Sequence, residues 1–384
     1  MKNRLVIFCC FIYSFTFSQK VAHAWDKYKV IGIGEASHGD ASVYHARKEL
    51  LHEIESTTNT SARILVEMPI SAGYAIDQFV EGKIDSTELL KNLAYFGLQS
   101  NSFLDFINSH KTSDFYGVDI QENVNSTAQL KKILLELLPN ESVRLDSTFR
   151  TLSTDFYVSF VKSNHAEMTL KRLDENIAFL ESFIMSHRSV LEQKTNFNKY
   201  LFLPVSGLKH YLKYTYLGLQ KSGEPSRIFR DSCMAVNVFE IQEKSNSLCV
   251  FFAANVHLGK QQNRCGYFLK NKLKDAYFTI AYQFFQGQIL TAQIVNQKRT
   301  ITTSFFRALK NTLPDLLHRQ NLSGFIFYDQ IKSKKISKKM WFLDIGGQLQ
   351  FQNKYLNYHY DYVFNCFDAI YFDDLVEPSI YLIQ

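Results

Sequence analysis

The sequence predicts an α/β fold: a mostly parallel central sheet covered on both faces by helices, with a long helical insertion in its middle. Three observations predict it. From about residue 28 to 122, short apolar runs alternate with helical stretches, the texture of βαβ units. The runs are apolar nearly throughout, as strands buried on both faces are. From about 125 to 245 there is almost no strand texture and several helical periodicities, so one α/β domain over residues 25–384 carries a helical insertion.

Taken in order, the chain opens with Lys2 and Arg4, then a short apolar stretch over residues 5–17 that ends near Ser18-Gln19 or Ala22-His23-Ala24. This is the pattern of a secretory leader over residues 1–19, with cleavage as late as 24, and it predicts an exported, periplasmic or extracellular protein. The run is too short to span a bilayer, and no later segment is long and apolar enough to anchor the chain. The first strand, residues 29–34, runs into Glu35-Ala36-Ser37-His38-Gly39. The helix that follows marks its buried face with Val43, Leu50 and Ile54, flanked by Ala46 and Leu51. Residues 63–66 run into Glu67-Met68-Pro69, and residues 115–118 end in Asp119. In the insertion, Leu170, Leu173, Ile177, Leu180, Ile184 and Leu191 recur at helical spacing, and His187 falls on the same stripe as a hydrogen-bonded core residue. Strand texture returns at 247–257, ending in Asn255-Val256-His257, then at 277–282, 289–294, 324–328 and 367–372.

A chain of 384 residues with 46% hydrophobic content buries a large core. Its formal charge of +6 comes from 43 basic against 37 acidic side chains, with no dense basic block. The nearest, Lys332-Ser333-Lys334-Lys335-Ile336-Ser337-Lys338-Lys339-Met340, reads as a solvated loop or hairpin, so no nucleic-acid partner is expected. Beyond the leader, Cys233, Cys249, Cys265 and Cys366 lack the spacing of a zinc site. Cys249, inside a predicted strand, reads as a buried thiol.

Polar groups at the carboxyl ends of parallel strands face the crevice where such sheets bind ligands. Glu35 and His38 follow the first strand together, and a carboxylate beside an imidazole fixes its tautomer and raises its basicity, as a general base acting on water requires. Arg47 falls in the middle of the apolar face of the next helix. A buried guanidinium needs a carboxylate, and Glu35 and Glu67 are the expected partners. His257 enters the same cleft from the far side. His45, Glu49 and His52 share the opposite, solvent-facing side of the helix and depart from the spacing of a metal motif.

In order along the chain, Gly32-Ile33-Gly34-Glu35-Ala36-Ser37-His38-Gly39, Arg47-Lys48, Glu67, Ala75-Ile76-Asp77-Gln78-Phe79-Val80-Glu81-Gly82, Phe115-Tyr116-Gly117-Val118-Asp119 and Phe229-Arg230-Asp231-Ser232 resemble the erythromycin esterase family. Asn255-Val256-His257 and Phe367-Asp368-Ala369-Ile370 complete the series. The resemblance implies a three-layer α/β/α fold with a helical subdomain over the cleft. It also implies hydrolysis of a small-molecule ester or lactone without a cofactor or a required metal. By that analogy His38 is the general base, Glu35 and Glu67 orient it, Arg47 holds the acids, and His257 assists at the carbonyl. Asp119, Asn255 and Arg230 are then the substrate-binding positions. Family members often carry another histidine where this chain has Ala254.

Three functional readings follow. The first is an exported, metal-independent ester hydrolase. The second is a metal-dependent hydrolase using the same acids and histidines. The third, favoured by Ala254, is a non-catalytic exported binding or assembly protein, for example in cell-surface polysaccharide metabolism. The first is adopted. Tyr355, Tyr358, Tyr360 and Tyr362 are compositional candidates for an aromatic cleft wall.

Overall fold

The computed structural model describes residues 24–382 apart from 94–96, 123–124, 162–165, 221–222, 246, 296–297, 332–338, 347–348 and 350–352. The expected leader and most of the lysine-rich segment lie outside the described residues.

Strands β1 (Val30–Glu35), β2 (Arg63–Pro69), β3 (Phe115–Asp119), β4 (Cys249–Ala254), β5 (Tyr277–Val295), β6 (Lys298–Arg307), β7 (Gly324–Ile326), β8 (Met340–Leu343), β9 (Tyr358–Asp361) and β10 (Ala369–Val376) build two sheets. The main sheet has the order β3-β2-β4-β1-β5-β10-β7, with β6 paired to β5 off this path. Every pairing from β3 through to β10 along that order is parallel, and β7 and β6 add the antiparallel edges. The result is a mixed α/β fold whose mostly parallel sheet is flanked by helices. Register places Glu35 opposite Ala254 and Val66 opposite Phe252, so β1, β2 and β4 reach their carboxyl ends at one level.

Helix Ser42–Thr58 buries Val43, Tyr44, Ala46, Arg47, Leu50, Leu51 and Ile54, the stripe expected of its spacing, and stops at Asn59 in the left-handed region (φ 52°). Between β3 and β4, helices Ser126–Leu137, Ser142–Phe156, Glu167–Ser186, Arg188–Lys194, Leu203–Gln220 and Glu224–Ser245 follow one another. They share a core that includes Leu130, Phe149, Leu173, Leu180, Leu201 and Leu208. The last of them departs from this pattern, because its Met234, Ala235, Val238 and Ile241 pack with Val118 and Phe251 of the sheet. That contact aims the start of the helix at the sheet edge. His187 lies at the end of its helix rather than in the core: half-buried, it is held through Nδ1 by the Phe183 carbonyl at 3.0 Å.

Three differences from the sequence expectation are physical. The pieces at 277–282 and 289–294 are one continuous strand, β5. The stretch between them is strand as well: Gln283 is fully buried and hydrogen-bonds the Tyr282 and Leu343 backbone. Gly287, at φ 143°, permits the crossing, since a Cβ there would stand 2.1 Å from the Val376 carbonyl oxygen. Strand β6 and the separate β8–β9 ribbon were not expected. They place Tyr358 in the core with its hydroxyl accepting from the Leu309 amide, while Tyr355, Tyr360 and Tyr362 stay exposed.

Cys233, Cys249, Cys265 and Cys366 are unpaired and buried. Among the described residues, no helix is long and apolar enough to cross a membrane.

Candidate active site

The loop after β1 is pinned on two sides. The Gly39 carbonyl accepts from Leu290 and Ser379, and a Cβ at Gly39 would collide with the Leu290 carbonyl at 1.7 Å. On the other side the His38 amide donates to Gly346, while Ile345 donates to Ala36. The loop thereby turns the His38 ring back onto the end of its own strand. Nδ1 pairs with Glu35 Oε1, and Glu35 Oε2 receives Arg47 Nη2 at 2.9 Å. The Arg47 guanidinium lies over the Phe252 ring at 4.8 Å and near that of Tyr44 at 5.3 Å, which compensates part of its lost hydration. Arg47 therefore answers Glu35. Glu67, its other expected partner, is claimed elsewhere.

Glu67 Oε1 receives Arg230 Nη2 at 2.9 Å and His257 Nε2 at 3.2 Å, and its Oε2 receives the Ala254 amide at 2.8 Å. Arg230 also grips Asp119 with two bonds, Nε to Oδ1 at 2.9 Å and Nη2 to Oδ2 at 2.7 Å. The other ring nitrogen of His257, Nδ1, lies 2.7 Å from Asp231 Oδ1. Asp231 is a residue that the candidate set omitted. Its signal was present, since 231 shares the buried helical face of Met234, Ala235 and Val238. Residues from β2, β3, the turn after β4 and the last insertion helix thus meet in one network.

Asn255 is brought to the same edge but turned inward. Its Nδ2 donates to the Tyr282 and Leu343 carbonyls and its Oδ1 accepts from the Tyr282 amide. Gly34 leaves room for it, because a Cβ there would stand 2.1 Å from Asn255 Oδ1. Asn255 ties strands together, and Asp119 is occupied by Arg230. His45, Glu49 and His52 are on the exposed side of their helix, where Glu49 accepts from the Tyr371 hydroxyl. Among the described residues, no cluster of His, Cys, Asp and Glu has the disposition of a metal site.

Electrostatics separates the two imidazoles. For His257, burial disfavours the charged ring, but Glu67 and Asp231 outweigh it and push the pKa up to about 10. Both ring nitrogens face carboxylates, so the doubly protonated ring is the form the geometry selects. For His38, burial also opposes charge, and Glu35, then Glu67, raise its pKa above 6.5. Burial works against Glu35 and Glu67 as anions too. The Arg47 and His38 charges nevertheless hold Glu35 below the usual carboxylate range, and His257 and Arg230 hold Glu67 well below it. His38 also responds to the charges of Glu67 and His257, so both halves belong to one field. The His38 and Arg230 side chains are each 17% exposed and that of His257 11%, which makes His38 the more reachable imidazole.

Fold and site together define an α/β protein with a buried carboxylate–guanidinium network that holds two imidazoles at the carboxyl edge of a parallel sheet. The erythromycin esterase family matches residues 62–374, and the chain belongs to that family. The matched segment contains Glu67, Asp119, Arg230, Asn255 and His257, while Glu35, His38 and Arg47 precede it. Among solved structures the chain is similar to a succinoglycan biosynthesis protein (TM-score 0.75, 16% identity, 93% of this chain and 90% of that one). It is also similar to a Bacillus cereus protein (TM-score 0.72, 13% identity, 92% and 90%). A third match is a mutant of the erythromycin esterase EreC in its open conformation (TM-score 0.68, 13% identity, 94% of each chain). At such identities the likeness is one of fold. Among curated proteins, no sequence matches the chain significantly.

Proposed function

We propose that the protein is an exported, metal-independent hydrolase of a small-molecule ester or lactone, in which His38 activates the attacking water. The observation that carries this reading is the Glu35–His38 pair, backed by Arg47, at the mouth of the buried network. With Nδ1 committed to Glu35, Nε2 is the nitrogen that takes a proton from water as the oxygen adds to the carbonyl carbon. The new oxyanion forms beside a site that is already cationic through Arg230 and imidazolium His257, an arrangement that stabilises developing charge without reorganisation. Glu67 fixes both cations. The leader over residues 1–19 supports action outside the cytoplasm.

The test is hydrolysis of a panel of lactones and simple esters by the full chain and by His38→Ala. Turnover by the wild type that disappears in a folded His38→Ala variant supports the reading. Turnover that survives both His38→Ala and Glu67→Ala overturns the site.

A second reading, a non-catalytic binding protein in surface-polysaccharide assembly, draws on Ala254 and on the fold shared with a succinoglycan biosynthesis protein. Binding of glycans with no turnover on any ester would favour it.

A further inference from the structure

The segment after β8 is clasped to both halves of the site. The Leu343 carbonyl accepts from Asn255 Nδ2 at 3.2 Å and Gln283 Nε2 at 3.0 Å, and its amide donates to Gln283 Oε1 at 2.7 Å. One residue further on, the Asp344 amide donates to Asn357, and the Ile345 and Gly346 amides both donate to Ala36. The Gly346 carbonyl accepts the His38 amide at 2.9 Å. Asp344 therefore sits between a bond to the turn that carries His257 and bonds to the loop that carries His38.

Its carboxyl makes no hydrogen bond or ion pair with any described residue, yet the charges of His257, His359, Arg264 and His38 all act on it. Burial, the largest influence, outweighs them and raises its pKa. The charges around it are otherwise matched. Glu35 has Arg47, Glu67 and Asp119 share Arg230, and Asp231 faces His257, with Arg264 Nη1 at 3.7 Å. Burial thus shifts the Asp344 carboxyl toward its protonated form. His257 does not offer the same proton, because both of its N–H groups are held by carboxylates.

Resting on the hydrolase reading, we propose that Asp344 is the general acid that protonates the leaving alcohol. After His38 Nε2 has taken a proton from the attacking water, the bond between the carbonyl carbon and the alcohol oxygen breaks. That oxygen takes the proton from the Asp344 carboxyl, and the bonding pair stays with it. The products are the carboxylic acid and the alcohol. The proton on His38 returns to the Asp344 carboxylate through solvent, which closes the cycle.

The experiment compares two acetate esters, one of p-nitrophenol and one of a simple aliphatic alcohol, with wild type, Asp344→Asn and Asp344→Ala. The nitrophenolate leaves without a proton and the alkoxide does not. The expected result is a fall of about 100-fold or more in kcat for the alkyl ester and less than about threefold for the nitrophenyl ester. Equal losses on both esters, or none on either, overturn the proposal and leave the hydrolase reading standing. A wild type inactive on every ester and lactone overturns both. Because the carboxyl bonds none of the described residues, both variants are expected to unfold at the wild-type temperature.

Discussion

The two histidines of the site are the same residue wired in opposite ways. His38 hangs from a loop, pairs through Nδ1 with Glu35 and keeps contact with solvent. His257 sits in a turn, is gripped by Glu67 and Asp231, and is held charged up to about 10. A ring whose Nδ1 is oriented by a carboxylate and whose edge reaches solvent can shuttle a proton. A ring with both nitrogens on carboxylates behaves instead as a fixed cation that lets two acids be buried close together.

Several substitutions break or sharpen this contrast. His38→Ala should lower kcat on any hydrolysed ester by about 10²–10⁴-fold while circular dichroism and thermal unfolding show an intact fold. His257→Ala should act on the fold as well, at a cost of about 3–5 kcal/mol in chemical denaturation, because it leaves Glu67 and Asp231 buried without their shared cation. If the two alanine variants are equally stable, the contrast fails. Arg47→Met should be intermediate. Without the cation beside it the Glu35–His38 pair holds its proton more tightly, so the rising limb of the pH–rate profile moves to higher pH as its plateau falls.

The smallest effects come from titration alone. In an NMR pH series the His257 ring should keep its proton until about pH 10, while His38 loses its own earlier. Both folded-state pKa values lie above the unfolded value of 6.5, so the stability these rings confer is complete below it and is lost as pH rises through the folded pKa values. Glu35 and Glu67 have the opposite sign: their contribution is present above 4.5 and lost as pH falls through their depressed values. Activity on the nitrophenyl ester, which needs neutral His38 and no proton for its leaving group, should therefore climb with pH while stability declines over the same range. Parallel movement of the two would contradict the assignment.

Much of this was legible in the sequence, and the boundary is instructive. Strands β1 to β4 announce themselves because each is an apolar run that stops at a charged or amide residue. The pairing of Arg47 with an acid followed from one charge placed on an apolar helical face. Which acid it would be did not follow, because Glu35 and Glu67 lie on strands separated by β4 and both are plausible from spacing alone. The two pieces of β5 were not joined in the sequence because Gln283, buried for its backbone bonds, interrupts the apolar texture between them. Asn255 carried the same ambiguity in reverse: an amide at a strand end resembles a ligand contact, and here it stitches neighbouring backbones. Asp231 was hidden beside Arg230, although its helical phase set it apart.

The clasp between residues 343–346 and Ala36–His38 joins the first strand to a segment made long after it in synthesis. A nascent chain emerging from the ribosome thus carries Glu35, His38 and Arg47 long before the backbone that seats their loop exists. Closure of so distant a contact is the slow kind of step in folding. A product truncated before residue 340 would retain every residue of the two imidazole networks and still lack the strap that sets their spacing. Competence of the site therefore waits on a contact between segments that emerge far apart in time.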